Sequence, residues 1–251
     1  MVRGAEMAGQ QALTLRSQPL PIDIDVATTA VMVIDMQNGF VSPGGSWGLA
    51  GVDIGPIDAL VPRIASVLDA ARRAGMPVVY LTMPLPASPS PHGMPDAAFG
   101  GTGRQRWRHY VDTNATGHTP PVPPDAAKSP TWNCEVVADL RPREGELVVV
   151  KPTFGGFHNT DLEERLRRAG IDTLLFTGCT TSVCVETTLR EAVVRGFRCV
   201  LIADCVAEPV GGNLPRTNHD ATVLLTELVL GWVINADAVV SALGEPAAAA
   251  T

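Results

Sequence analysis

Short apolar runs that end in a charged or turn-forming residue set the rhythm of this chain. Residues 29–36 (TAVMVIDM) are apolar and β-branched at consecutive positions, as in a strand buried on both faces of a parallel sheet. Residues 77–82 (PVVYLT), 146–150 (ELVVV), 172–177 (DTLLFT) and 198–203 (RCVLIA) repeat the pattern. Between them the apolar spacing turns helical. Ile57, Leu60, Ile64, Val67, Leu68 and Ala71 share one face of a helix predicted over 56–74 and stopped by Gly75. A second helix is predicted over 161–168, capped by Asn159 or Thr160, and a third over 184–195, stopped by Gly196. Helices over 219–231 and 236–243 close the series. Strands alternating with helices imply three layers, α/β/α, around a mostly parallel, doubly wound sheet of about six strands.

One stretch breaks the rhythm. Residues 83–130 are rich in Pro, Gly and Ser and lack a clear period. So long a loop inside one domain reads as a lid-like insertion, with Trp107, Tyr110 and the Arg104, Arg106, Arg108 cluster as its ordered part. Residues 1–19 read as a loose N-terminal extension, 20–244 as a single domain, and 245–251 as a flexible tail.

Composition narrows the class. The chain has 251 residues, 45% of them apolar, enough for one sizeable core. Its formal charge of −7, with no basic block, argues against nucleic acid as a partner. Apolar runs such as 147–150 are too short to cross a bilayer. Residues 1–19 contain Arg3 but no continuous apolar stretch, so no signal peptide is read there and a cytoplasmic location is expected. Five cysteines, an odd number, do not suggest a disulfide framework. No Cys-x-x-Cys pair or nearby His points to zinc, and no metal or cofactor is expected.

Ligands of parallel α/β sheets sit beyond the carboxyl ends of the strands. Asp35 and Lys151 end two of the predicted strands, and Cys184 follows a third after the turn 178–183 (GCTTSV). A thiol in the first turn of a helix, with Thr181 or Ser182 as cap, feels the positive end of the dipole, which favours thiolate. The amides of such a turn are ready oxyanion donors. Asp35 could take the thiol proton, and Lys151 could lower the cost of the negative charge. A buried inert thiol and two solvated strand-end charges fit the same pattern. His92, His109, His118, His158 and His219 lie away from the predicted strand ends, although His158 is near Lys151 in sequence.

Three motifs in this order, Val33-Ile34-Asp35-Met36-Gln37-Asn38, Val150-Lys151-Pro152 and the run 178–188 (GCTTSVCVETT), resemble the isochorismatase-like cysteine hydrolases over residues 29–243. The resemblance implies a catalytic triad of Asp35, Lys151 and Cys184, with the nucleophile at Cys184 and not Cys179. It also implies a cis peptide at Cys179–Thr180 and oxyanion donors at the N–H groups of Thr180 and Cys184. Within the family, Pro43-Gly44-Gly45, Leu49-Ala50-Gly51-x-Asp53, Lys128-Ser129-x-x-Trp132 and the run 151–160 (KPTFGGFHNT) look most like ureidoacrylate amidohydrolases. Biuret hydrolases and N-carbamoylsarcosine amidases share the turn before the cysteine. The implied reaction is hydrolysis of a C–N bond in a small amide, ureido or carbamoyl substrate through a thioester, by a homo-oligomer (dimer or tetramer) that needs no cofactor. Phe40, Met83, Trp132 and Phe154 are candidate substrate contacts. Met83 stands where the ureidoacrylate enzymes carry polar side chains, so a streptothricin-type lactam hydrolase is an alternative. A binding protein, or a redox sensor pairing Cys179 with Cys184, is the rival of a different class.

Overall fold

The computed structural model describes residues 12–49, 51–84, 132–209 and 217–244. Two short strands, β1 (Ala12–Leu15) and β2 (Ile22–Asp25), pair antiparallel. The main sheet has six strands: β3 (Thr29–Ile34), β4 (Val78–Thr82), β5 (Leu147–Val150), β6 (Thr173–Cys179), β7 (Arg198–Ala207) and β8 (Trp232–Ile234). They run parallel throughout in the order β5-β4-β3-β6-β7-β8.

The helices are α1 (Asn38–Val41), α2 (Ser46–Leu49), α3 (Gly55–Asp58), α4 (Val61–Ala74), α5 (Leu162–Arg168), α6 (Glu186–Val194), α7 (Asn218–Leu225) and α8 (Ala236–Gly244). β3 shows why they divide into two layers. All six of its residues are buried, and the pleat sends alternate side chains to opposite faces. Val31 and Val33 join a core with Ile64 and Leu68 of α4 and Val239 of α8. Ala30, Met32 and Ile34 join another with Leu162 of α5 and Leu189 of α6. The result is the doubly wound α/β/α arrangement that the apolar pattern implies.

Several local expectations shift. The helix predicted over 56–74 is two pieces, α3 and α4, although the apolar positions named for it are all buried. Gly75 does end α4, at φ +74. Asp161, not Asn159 or Thr160, occupies the N-cap position of α5, without a side-chain cap bond; the Thr160 hydroxyl donates to Gly156 O at 2.6 Å and accepts from the Leu162 N–H at 3.4 Å. The helix predicted over 219–231 ends as α7 and a π-helical turn, Thr226–Leu230, before β8. The extension assigned to 1–19 is not loose throughout. Leu13 and Leu15 are buried, and Gln18 exchanges backbone hydrogen bonds of 2.8 and 3.0 Å with Val233. The two-residue period of so short a strand is hard to distinguish from coil. Most of the insertion predicted over 83–130, the tail 245–251 and three histidines, His92, His109 and His118, lie outside the described residues.

Candidate active site

The chain runs from β3 outward through β4 to β5, then returns to lay β6 against the other edge of β3. The crevice of such a sheet opens at this reversal, beyond the carboxyl ends of β3 and β6. Gly178 lets the two strands meet there. Its φ is +112, and a Cβ at that position would lie 2.0 Å from Ile34 O.

Asp35 directly follows β3, at φ +52, with its N–H bonded to Leu81 O at 2.9 Å. Lys151 follows β5, two strands away, and its side chain reaches across to place Nζ 2.7 Å from Asp35 Oδ2. The same Nζ donates to Thr153 O at 3.1 Å. Both residues are buried, at 1% and 0% exposure. The Lys151 ammonium and the Cys184 thiol are the side chains that face the Asp35 carboxylate. The Cys184 thiol, 7% exposed, is coupled to both charges.

The electrostatics follow from burial. Desolvation raises the Asp35 carboxyl above its usual range, and the Lys151 ammonium only partly opposes this. Desolvation would lower Lys151, but the charge of Asp35, joined by that of Cys184 when it is ionised, outweighs it and keeps the ammonium protonated. Burial pushes the Cys184 thiol up as well; Lys151 pulls it back and Asp35 adds to the rise. The thiol is therefore protonated at rest. Moving its proton to Asp35 relocates a negative charge beside Lys151 without creating another in a medium of low polarity.

The nucleophile turn differs from expectation. Cys184 does not begin an α-helix; it lies in a π-helical turn, Thr181–Val185, which leads into α6 at Glu186. The Cys179–Thr180 peptide is cis. Neither Thr181 nor Ser182 caps a helix. Ser182 binds Glu208 through its N–H and its hydroxyl, and the Thr181 hydroxyl meets His219 Nδ1 at 3.0 Å. Cys179 sits below the turn, its thiol donating to Asp35 O at 3.2 Å.

The structure thus brings Asp35, Lys151 and Cys184 together, with Thr180 and Cys184 in one turn. Among the other candidates, Phe40 and Met83 are packed into the core, at 4% and 1% exposure. Phe154 packs against both cores, and Trp132 is half-exposed beside Gly44. The His158 side chain pairs with Asn159 at 3.0 Å.

Sequence reasoning passed over the supports. The buried Gln37 amide accepts from Met83 N–H at 2.8 Å and donates to the carbonyls of Met83 and Cys134, at 2.9 and 3.0 Å. It ties together chain segments that come from either side of the long insertion. Thr188 donates to Cys184 O at 2.7 Å and accepts from Gly156 N–H at 3.1 Å, linking α6 to the loop after Lys151. An amide side chain directly after an apolar strand and its strand-end acid is the kind of signal that could have flagged Gln37; Glu208 offers none. Among the described residues no group of three or more His, Cys, Asp or Glu side chains could hold a metal ion, and no helix is long and apolar enough to cross a membrane.

The chain is similar to known proteins over most of its length. The isochorismatase domain family model matches residues 29–238. Ureidoacrylate amidohydrolase RutB of Methylobacterium radiotolerans is 35% identical over 240 residues, covering 94% of this chain and 88% of that protein. RutB of Stutzerimonas stutzeri is 32% identical over 231 residues, covering 92% and 89%. The crystal structure of a cysteine hydrolase from Pseudomonas syringae superposes with a TM-score of 0.65 at 26% identity, covering 88% of this chain and 94% of that one. N-carbamoylsarcosine amidase of Thermoplasma acidophilum shares the fold, with a TM-score of 0.58 at 24% identity over 84% of this chain and 97% of that one. With motifs, sheet order and sequence in agreement over most of its length, the chain belongs to the isochorismatase family.

Proposed function

We propose that this chain is a cysteine amidohydrolase that cleaves a C–N bond of a small amide, ureido or carbamoyl substrate. The observation that carries the reading is the buried Lys151–Asp35 pair, 2.7 Å apart, set against the Cys184 thiol at the crevice of the sheet. Asp35 takes the thiol proton and the sulfur attacks the carbonyl carbon. The oxyanion rests on the N–H groups of Thr180 and Cys184. The C–N bond breaks as Asp35 returns the proton to the leaving nitrogen, which leaves a thioester on Cys184. Water then gives a proton to Asp35, attacks the thioester and releases the acid, and the sulfur recovers its proton. Lys151 stays charged throughout and offsets whichever neighbour is anionic. A ureido substrate is favoured by the relatives named ureidoacrylate amidohydrolase. All five cysteines are free, which supports a reducing, cytoplasmic setting. Exposed Leu224, Leu228 and Val229 give apolar surface that a homo-oligomer could cover.

Ammonia release from linear ureides and N-carbamoyl amino acids, and ring opening of lactams read as a mass gain of one water, test the reading, with acid-quenched mass spectrometry to catch the acyl-enzyme. Turnover of a ureide with an adduct on Cys184 is expected. Turnover that survives Cys184→Ser, or a complete lack of hydrolysis across the three classes, would sink it.

A further inference from the structure

One carboxylate holds the Cys184 turn from outside. Glu208, just beyond the end of β7, accepts from the Ser182 N–H at 2.9 Å and, through the same Oε2, from the Ser182 hydroxyl. The amides of the turn are thereby sorted. Val183 and Val185 both donate to Thr180 O, at 3.1 and 3.2 Å, and Glu186 donates to Thr181 O and Val183 O. Ser182 goes to Glu208. The N–H groups of Thr180 and Cys184 donate in none of these bonds, and among the described residues the Thr180 N–H donates to no backbone carbonyl. A second tie, Thr181 to His219, lies on the same side, and Glu208 and His219 line one cavity of about 250 Å³. The mechanism above gives Glu208 no part.

We propose that Glu208 is a positioning residue: by fixing Ser182 it aims the Thr180 and Cys184 N–H groups at the oxyanion that forms when Cys184 attacks. This role rests on the reading of Cys184 as the nucleophile. The turn carries its own π-helical bonds through Val185 and Glu186, but the Ser182 N–H finds its acceptor outside the turn, at Glu208. An ionised acceptor that takes two donors from one residue is a strong one. Placement matters because oxyanion donors act only when they point where charge develops.

The sign of the effect separates positioning from charge. Burial raises the Cys179 thiol first, then the charges of Asp35 and Cys184, and Glu208 adds a smaller push in the same direction. As a bare negative charge, Glu208 opposes anions at this site, so removing it would help them. As a positioning residue, removing it harms the tetrahedral adduct.

The test uses the full chain with Glu208→Ala, Glu208→Gln and Ser182→Ala, and follows two reactions of Cys184. Iodoacetamide alkylates sulfur at a saturated carbon: a C–S bond forms, iodide leaves, and no oxyanion is built. Acetaldehyde adds reversibly: sulfur bonds to the carbonyl carbon and the thiol proton ends on the former carbonyl oxygen, which occupies the oxyanion position. Carbon-13 NMR with labelled acetaldehyde reads this hemithioacetal. Glu208→Ala should weaken aldehyde binding about tenfold, short of the ~100-fold loss when an oxyanion donor is removed outright. Glu208→Gln, whose amide oxygen still accepts the Ser182 N–H, should lose less. Alkylation should stay within about twofold in both. Ser182→Ala should cost about twofold and add nothing to Glu208→Ala. Unchanged or tighter aldehyde binding in Glu208→Ala overturns the proposal, as does a parallel loss in both reactions, which would mean a disordered turn. A wild-type protein that reacts with neither probe would instead remove the nucleophile reading, and this role with it.

Discussion

Lys151→Met removes the ammonium from a cluster in which Asp35 and Cys184 can both carry negative charge. Lys151 and Asp35 are 0% and 1% exposed, so no solvent stands ready to replace the lost partner. Breaking a buried ion pair by removing one member costs about 3–5 kcal/mol. In a domain of this size each kcal/mol shifts the melting midpoint by roughly 2–4 °C, so the fall is on the order of 6–20 °C. The pH dependence is the sharper reading. Burial already raises the Asp35 carboxyl, and the Lys151 charge is the largest effect opposing it. Without that charge the folded-state pKa climbs further, whereas the unfolded chain keeps an ordinary carboxylate. Between the two values the folded variant holds a proton that the unfolded chain lacks. Its stability is therefore fullest below the unfolded pKa and falls as pH rises toward the folded one, by up to about 1.4 kcal/mol per pH unit. Urea unfolding of both proteins at about pH 5 and about pH 8 measures this, and the deficit should be larger at the higher pH. The Lys151→Met/Asp35→Asn double variant has no buried charge to strand and should recover most of the loss. A Lys151→Met protein as stable as wild type at the higher pH, or a deficit independent of pH, refutes the reasoning.

Three further outcomes follow from the site and its frame. Cys184→Ser should lower turnover by ~10³-fold or more, whereas Cys179→Ser, whose hydroxyl can still donate to Asp35 O, should stay within about tenfold of wild type in steady-state assays. Gly178→Ala puts a Cβ 2.0 Å from Ile34 O at φ +112, and should cost about 3 kcal/mol or more, seen as lost soluble yield or a lower melting midpoint. Gln37→Ala leaves Met83 N–H and the carbonyls of Met83 and Cys134 without that partner, and urea unfolding should show a loss of about 2–4 kcal/mol.

Much of this was legible along the chain. The run TAVMVI reads as a strand buried on both faces because a parallel sheet covered by helices leaves it no solvated side, and in the structure all six residues are buried. The face of α4 was legible because helical burial recurs with the helical period. Asp35, Lys151 and Cys184 stood out because a charge or thiol at the end of an apolar strand lies where these folds bind ligands. β8 and the β1–β2 ribbon were not legible, because three or four residues are too few for a period to emerge. The turn at Cys184 was misread as the start of an α-helix because a π-helical turn differs from it in hydrogen-bond register, not in apolar spacing.

The class of fold, the order of its elements and three reactive side chains near strand ends can be read along the chain, since each is recorded in the apolar pattern of neighbouring residues. How those side chains meet is set in three dimensions. Lys151 spans two strand spacings to reach Asp35, Gln37 bonds to both Met83 and Cys134, and Glu208 takes hold of Ser182 from the end of a different strand. Such meetings depend on strand order, register and the reach of side chains between segments distant in sequence. Local periodicity records how deeply a residue is buried, but not which distant residue it is buried against.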